Sequence, residues 1–163
     1  MKTLLLMRHA KSSWSDPARD DHDRPLNKRG ERDAPVVARL IADGGWVPDL
    51  IVSSSACRAR QTALVIAESS AWSADVWLTR RLYLAEPREY LALLAQVPDA
   101  ASRVLMIGHN PGLEQLASEL SGVEWTLPTA ALVVFSLDVE RWEDVGLDTR
   151  AQIVGNHAPR PVD

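Results

Sequence analysis

The chain is short of cysteine, of net positive charge and of long apolar runs, and each shortage removes a class of protein. One cysteine, Cys57, stands among 163 residues, which excludes an internal disulfide and a cysteine-based zinc site and suits a reducing compartment. Lysine and arginine total 18 against 22 aspartates and glutamates, a net charge of −4, so no basic stripe is available to follow a nucleic-acid backbone. The apolar start Thr3-Leu4-Leu5-Leu6-Met7 is interrupted at Arg8, too early for a signal-peptide core or a membrane span. No repeat, low-complexity tract or linker divides the chain. The expectation is a cytoplasmic protein without nucleic-acid or membrane partners. It has one domain over residues 1–155 and a disordered tail over 156–163, where two prolines leave little to bury.

What is present is enough apolar sequence, 46% of residues, to build one buried core. Strand-like and helix-like stretches alternate, which predicts α/β layers. Thr3–Met7 reads as a strand buried on both faces. A polar loop from His9 to Asn27 precedes a helix over Lys28–Asp43 with Val36, Val37, Leu40 and Ile41 on one face. Pro35 either kinks that helix or marks its first turn behind an Asp33 cap, and Gly44–Gly45 end it. Asp49–Ser53 reads as a second strand, followed by a helix carrying Arg58, Arg60, Leu64, Val65 and Ile66. Asp75–Leu78 is a short strand, Glu86–Gln96 a helix and Arg103–Gly108 a strand. Asn110-Pro111 then reads as a cap and first position of a helix through Leu120. Ala130–Leu137 is a clear strand and Ala151–Val154 a weaker one.

Two of these strands deliver a histidine at their carboxyl ends, where α/β sheets bind ligands: Arg8-His9 after the first, and His109 after Arg103–Gly108. Arginine suits multidentate recognition of phosphate, and neutral imidazole can act as a nucleophile. Arg58 follows the second strand. A tetrahedral phosphoryl group among these residues would meet two guanidinium groups and one or two imidazoles, with the amide donors of the helix at His109-Asn110-Pro111 nearby.

The segments Leu6-Met7-Arg8-His9-Ala10-Lys11-Ser12, Arg24-Pro25-Leu26-Asn27, Ser53 to Thr62 and Ile107-Gly108-His109-Asn110 resemble the histidine phosphatase (phosphoglycerate mutase-like) superfamily. Within it they are most similar to the short SixA-like phosphohistidine phosphatase branch. The resemblance runs from Thr3 to about Leu137. It implies a three-layer α/β/α fold with a mostly parallel central sheet, and a phosphatase that needs neither cofactor nor metal. It also implies His9 as the phosphorylated nucleophile, Arg8 and Arg58 as phosphate-binding arginines, His109 as the second histidine, and Arg24 as a rim ligand. Many members carry glycine where this chain has Ala10, so the backbone there must avoid positive φ.

The acidic proton donor of the mutases has no convincing counterpart. Glu86 is the best candidate acid; its alternative reading is a first-turn glutamate complementing a helix dipole. A site without a well-placed acid suits a leaving group that needs little help, such as the imidazole of phosphohistidine, better than an alkoxide. The expected substrate is therefore phosphohistidine in a protein. The alternatives are a small phosphate ester, and a non-catalytic phosphate-binding protein. Ser12 either bonds the phosphate region or shapes the loop, and Trp14 walls the pocket mouth while the other five tryptophans pack. Asp20-Asp21-His22-Asp23 reads as a solvated loop or, against the missing ligand periodicity, a metal site. Cys57 reads as a small buried filler, Arg60 as a surface residue, and His157 as an inert tail residue.

Overall fold

Strand β1 (Lys2–Arg8) is apolar at consecutive positions because both of its faces are covered. Leu4 and Leu6 pack in one cluster with Tyr90, Leu113 and Leu116. Leu5 and Met7 pack in another with Ala34, Val37, Ile41 and Ala63. All four side chains are fully buried, each worth about 1.5–3 kcal/mol of transfer free energy. The computed structural model describes residues 1–69 and 74–160.

After β1 come α1 (Lys28–Asp43), β2 (Leu50–Ser54), α2 (Cys57–Glu68), β3 (Asp75–Thr79), α3 (Pro87–Leu94), β4 (Arg103–Gly108), α4 (Gly112–Ser121), β5 (Leu132–Leu137) and β6 (Ala151–His157). The sheet order is β3-β2-β4-β1-β5-β6. The first four strands in that order run parallel, while β5 is antiparallel to β1 and β6 to β5. Helices α1 and α2 cover one face, α3 and α4 the other. This is the three-layer, mostly parallel architecture expected from the sequence. The chain leaves β1 toward β2 and β3, then returns to place β4 directly beside β1. The crevice at the β1 and β4 carboxyl ends is thus a topological switch point.

Register fixes what emerges there. Arg8 lies opposite Gly108, so His9 and His109 leave adjacent strands side by side. By strand parity, His9 and His109 follow Met7 and Ile107 toward the α1/α2 face, whereas Arg8 follows Leu4 and Leu6 toward α3 and α4. Gly108 is on that second face, where an added Cβ would stand 1.9 Å from the Tyr90 hydroxyl; only hydrogen fits.

Several local expectations change. Helix α1 is capped by Asn27, whose Oδ1 accepts from the Gly30 amide at 2.9 Å, rather than by Asp33, and it runs through Pro35. Its buried face is Ala34, Val37, Ala38 and Ile41. Val36 is 51% exposed, because Ala34, Val37, Ala38 and Ile41, rather than Val36, fall on the side of α1 packed into the core. Asn110 does not cap α4: Pro111 holds that position, and the Asn110 amide donates at 2.8 Å to both Glu114 Oε1 and the Leu127 carbonyl. β5 begins at Leu132 because Ala130 adopts φ +62°, its amide shared between the Arg8 and His9 carbonyls.

β6 continues through Asn156 and His157, which pair with Val133 and Leu132. These two residues therefore belong to the sheet, and the domain extends past residue 155. Residues 161–163 of the expected tail lie outside the described residues. Among the described residues no helix is long and apolar enough to cross a membrane. Trp142 is fully buried, and Trp46 and Trp125 pack against the clusters. Trp77 is 38% exposed, and Trp72 lies outside the described residues.

Candidate active site

The carboxyl ends of β1, β2 and β4 bring Arg8, His9, Arg58 and His109 into one cavity of about 150 Å³, with Ser12, Trp14 and Arg24 also lining it. His9, Arg58 and His109 are all nearly inaccessible, at 5%, 3% and 2% exposure. They form a rigid floor.

On that floor the His9 Nδ1 lies 2.8 Å from the Ala10 carbonyl. Carbonyl oxygen only accepts, so Nδ1 carries the proton and Nε2 keeps its lone pair. The Arg58 Nε–H donates to that Nε2 at 3.3 Å. Ala10 avoids positive φ, as its side chain requires, and its amide donates to Thr62 Oγ1 at 3.0 Å. The Thr62 hydroxyl in turn donates to the Arg58 carbonyl, tying the nucleophile loop to α2. The two imidazoles stand 5.0 Å apart. His109 Nε2 is 2.8 Å from the Ser54 hydroxyl, and Arg58 Nη2, which can only donate, lies 3.5 Å from Nδ1, so Nδ1 accepts and Nε2 carries the proton. The Tyr90 hydroxyl accepts from the His109 amide.

Burial, with smaller contributions from the neighbouring His109 and then from Arg58 and Arg8, holds His9 down to about 3 against the opposing Ala10 carbonyl. Burial, then Arg58, holds His109 down to about 3 as well. Both rings are neutral at physiological pH. Arg8 spends one donor on the Leu127 carbonyl at 3.1 Å, while its Nε is buried with no partner among the described residues. A buried guanidinium donor of this kind is satisfied by an oxyanion.

The rim is built differently, from the 10–27 loop and the segment after β3. Arg24 donates from Nη1 to Ser12 Oγ at 2.7 Å and from Nε and Nη2 to Asp21 Oδ1 at 3.1 Å each. Asp21 Oδ2 accepts from Arg58 Nη2 at 3.0 Å and from the Tyr83 hydroxyl, and the Asp21 carbonyl accepts from Arg58 Nη1 at 2.6 Å. Burial opposes the ionised form of Asp21, but the bonds from Tyr83, Arg58 and Arg24 outweigh it and bring its carboxyl to about 2.

Of the residues singled out in the sequence, Arg8, His9, Ser12, Arg24, Arg58 and His109 converge on the cavity. Glu86 does not. It occupies the N-terminal cap position of α3, exposed and without a cap bond, and the residues lining the cavity include no carboxyl. Arg60 is exposed. Cys57 is half-buried rather than fully packed, with its sulfur 3.7 Å from Arg60 Nη2. His22, read as loop or metal ligand, bonds Ser55 Oγ at 2.9 Å and packs edge-on against Tyr83. Sequence reasoning gave no site role to Asp21, Tyr83, Ser54 or Thr62, although Ser54 and Thr62 lie within the Ser53–Thr62 motif and Asp21 one turn of chain before Arg24.

Fold and site together define an α/β protein with a cationic cup at its switch point. Residues 4–83 match the model of the histidine phosphatase superfamily (branch 1). A chloroplastic protein of Arabidopsis thaliana, itself uncharacterized, is 36% identical over 153 residues, covering 88% of this chain and 70% of that protein. The solved "putative phosphohistidine phosphatase SixA" of Agrobacterium tumefaciens is 31% identical with a TM-score of 0.82, covering 97% of this chain and 98% of that one. A structure of the same name from Nakamurella multipartitia is 30% identical with a TM-score of 0.81, covering 97% and 96%. The chain belongs to the histidine phosphatase superfamily and is a phosphatase.

Proposed function

We propose that this phosphatase removes phosphate from phosphohistidine in a protein, through a phosphorylated His9, and that it works in the cytoplasm. The observation that carries the reading is the unprotonated His9 Nε2, fixed as such by the Nδ1–H bond to the Ala10 carbonyl and held by Arg58 Nε–H at 3.3 Å until a phosphoryl group takes its place, in a cavity lined by Arg8, Arg24 and Arg58. Nε2 attacks phosphorus in line as the bond from phosphorus to the substrate imidazole breaks. The electron pair leaves with that nitrogen, which takes a proton from solvent. Water then attacks the phosphoryl group, the bond from phosphorus to Nε2 breaks, and inorganic phosphate departs. Arg8, through its buried Nε, and Arg58 stabilise the equatorial oxygens, while His109, with Nδ1 facing Arg58 Nη2, holds that guanidinium in place.

The substrate class is supported by the absence of a carboxyl among the cavity-lining residues and by the low pKa of nearby Asp21. Asp21 is ionised and engaged by two arginines, so it has no proton to give an alkoxide. The test is turnover of a phosphohistidine-bearing protein, an aryl phosphate and a panel of alkyl phosphates without added metal. Turnover of the first two alone is expected. Broad alkyl turnover would transfer the reading to small phosphate esters, and tight phosphate binding without turnover would make the protein a phosphate-binding scaffold.

A further inference from the structure

Two apolar side chains at the cavity mouth take no part in the chemistry above. Trp14 is 71% exposed and Leu84 is 56% exposed, yet both line the cavity that holds His9. An exposed apolar residue alone is ordinary; the way these two are held is not. The Arg24 guanidinium carbon lies 3.5 Å from the centroid of the Trp14 ring, a stacked cation–π contact. Arg24 is itself 7% exposed and anchored to Ser12 and Asp21. One indole face is therefore fixed against an immobile cation, which leaves the other open at the mouth.

Leu84 adopts φ +51°, a left-handed conformation that a leucine side chain disfavours. The next residue is packed against α4 backbone: the Ala85 carbonyl sits 1.8 Å from where a Cβ on Gly112 would be. The segment is thus pressed onto the start of α4, with Leu84 at the mouth instead of in the core. Strain kept at a site edge is a pointer to use.

Resting on the phosphohistidine reading, we propose that Trp14 and Leu84 form the leaving-group subsite, selecting substrates whose leaving group is a flat ring. The ring of the substrate imidazole lies against the open indole face, with Leu84 as an apolar stop. The phosphoryl oxygens reach Arg8 and Arg58 below. Such a subsite needs only a flat ring that protrudes from its carrier, as a histidine side chain does on a protein surface. Stacking also lends a ring orientation without a buried hydrogen-bonding partner.

The experiment compares kcat/KM of wild type, Trp14→Ala, Trp14→Phe and Leu84→Ala on two donors, phosphoimidazole with a ring and phosphoramidate without one. Wild type is expected to prefer the ring. In Trp14→Ala the ratio of ring to ringless kcat/KM falls at least tenfold, Trp14→Phe recovers most of it, and Leu84→Ala lowers it about threefold. A ratio within twofold of wild type in Trp14→Ala overturns the subsite, whether both rates are kept or both collapse together. The same variants on phenyl phosphate and acetyl phosphate separate the two claims. If wild type cleaves phenyl phosphate but neither nitrogen-linked donor, the phosphohistidine reading fails. The subsite then stands only if Trp14→Ala lowers the phenyl to acetyl ratio tenfold. Wild type inert toward all four donors overturns both.

Discussion

The floor and the rim of the cavity carry similar residue types but are held by different physics. The floor groups, Arg8, His9 and His109, are placed by strand register, since Arg8 opposite Gly108 leaves no freedom in where the two histidines emerge. Their burial removes water, so both imidazoles stay neutral. The rim groups Asp21, Arg24 and Tyr83 are placed by one another, through a carboxylate shared between two arginines and a phenol. Asp21 keeps 44% of its side chain in solvent. A floor set by the sheet holds its geometry whatever the rim does, whereas a rim set by charge pairing holds only while each of its partners is in place. Each test below acts on one side of that contrast.

Removing the nucleophile acts on the floor and gives the largest effect: His9→Ala retains less than about one part in 10⁴ of wild-type turnover, read with a phosphohistidine-bearing protein. Arg58→Ala removes a buried oxyanion donor and costs at least about 2.7 kcal/mol of transition-state stabilisation, about a hundredfold in kcat/KM. Gly112→Ala forces a methyl into the Ala85 carbonyl, where floor and rim elements meet. It should lower stability by about 1–3 kcal/mol, visible as a lower urea midpoint.

The buried histidines also set a pH dependence. Both have folded-state values near 3, below an unfolded value of about 6.5. Between those limits the unfolded chain binds the extra protons, so their contribution to stability is complete above about pH 6.5 and is lost as pH falls toward 3. His109→Gln should flatten the stability slope between pH 4 and 6 by about 1.4 kcal/mol per pH unit, measured by urea unfolding. At the rim, Asp21→Asn weakens the hold on Arg58 and Arg24 and costs about 1 kcal/mol, roughly fivefold in kcat/KM. A hundredfold loss there would erase the distinction between the two regions.

The same contrast governs what could be read from the sequence. Strand ends are legible, because an unbroken apolar run such as Leu4–Met7 announces a buried strand, and the next polar residues must then sit at its carboxyl end. Arg8, His9 and His109 were accessible on that ground, and Arg58 through the resemblance. Glu86 was misread because its position before Pro87 specifies a helix start but not which way that start faces. Asp21 was overlooked because a run of acidic loop residues looks solvated until Arg24 and Arg58, 3 and 37 residues away, are folded onto it. Asn110 and Val36 were misplaced by local rules that the packing of α4 and α1 overrides.

The central claim is a covalent bond between phosphorus and His9 Nε2. Rapid quenching of the enzyme with ³²P-labelled phosphohistidine protein tests it most directly. The label should appear on the enzyme before free phosphate accumulates, survive alkali but not acid, map to His9, and be missing from His9→Ala. Steady turnover with no labelled enzyme at any quench time, or near-normal turnover by His9→Ala, would contradict it.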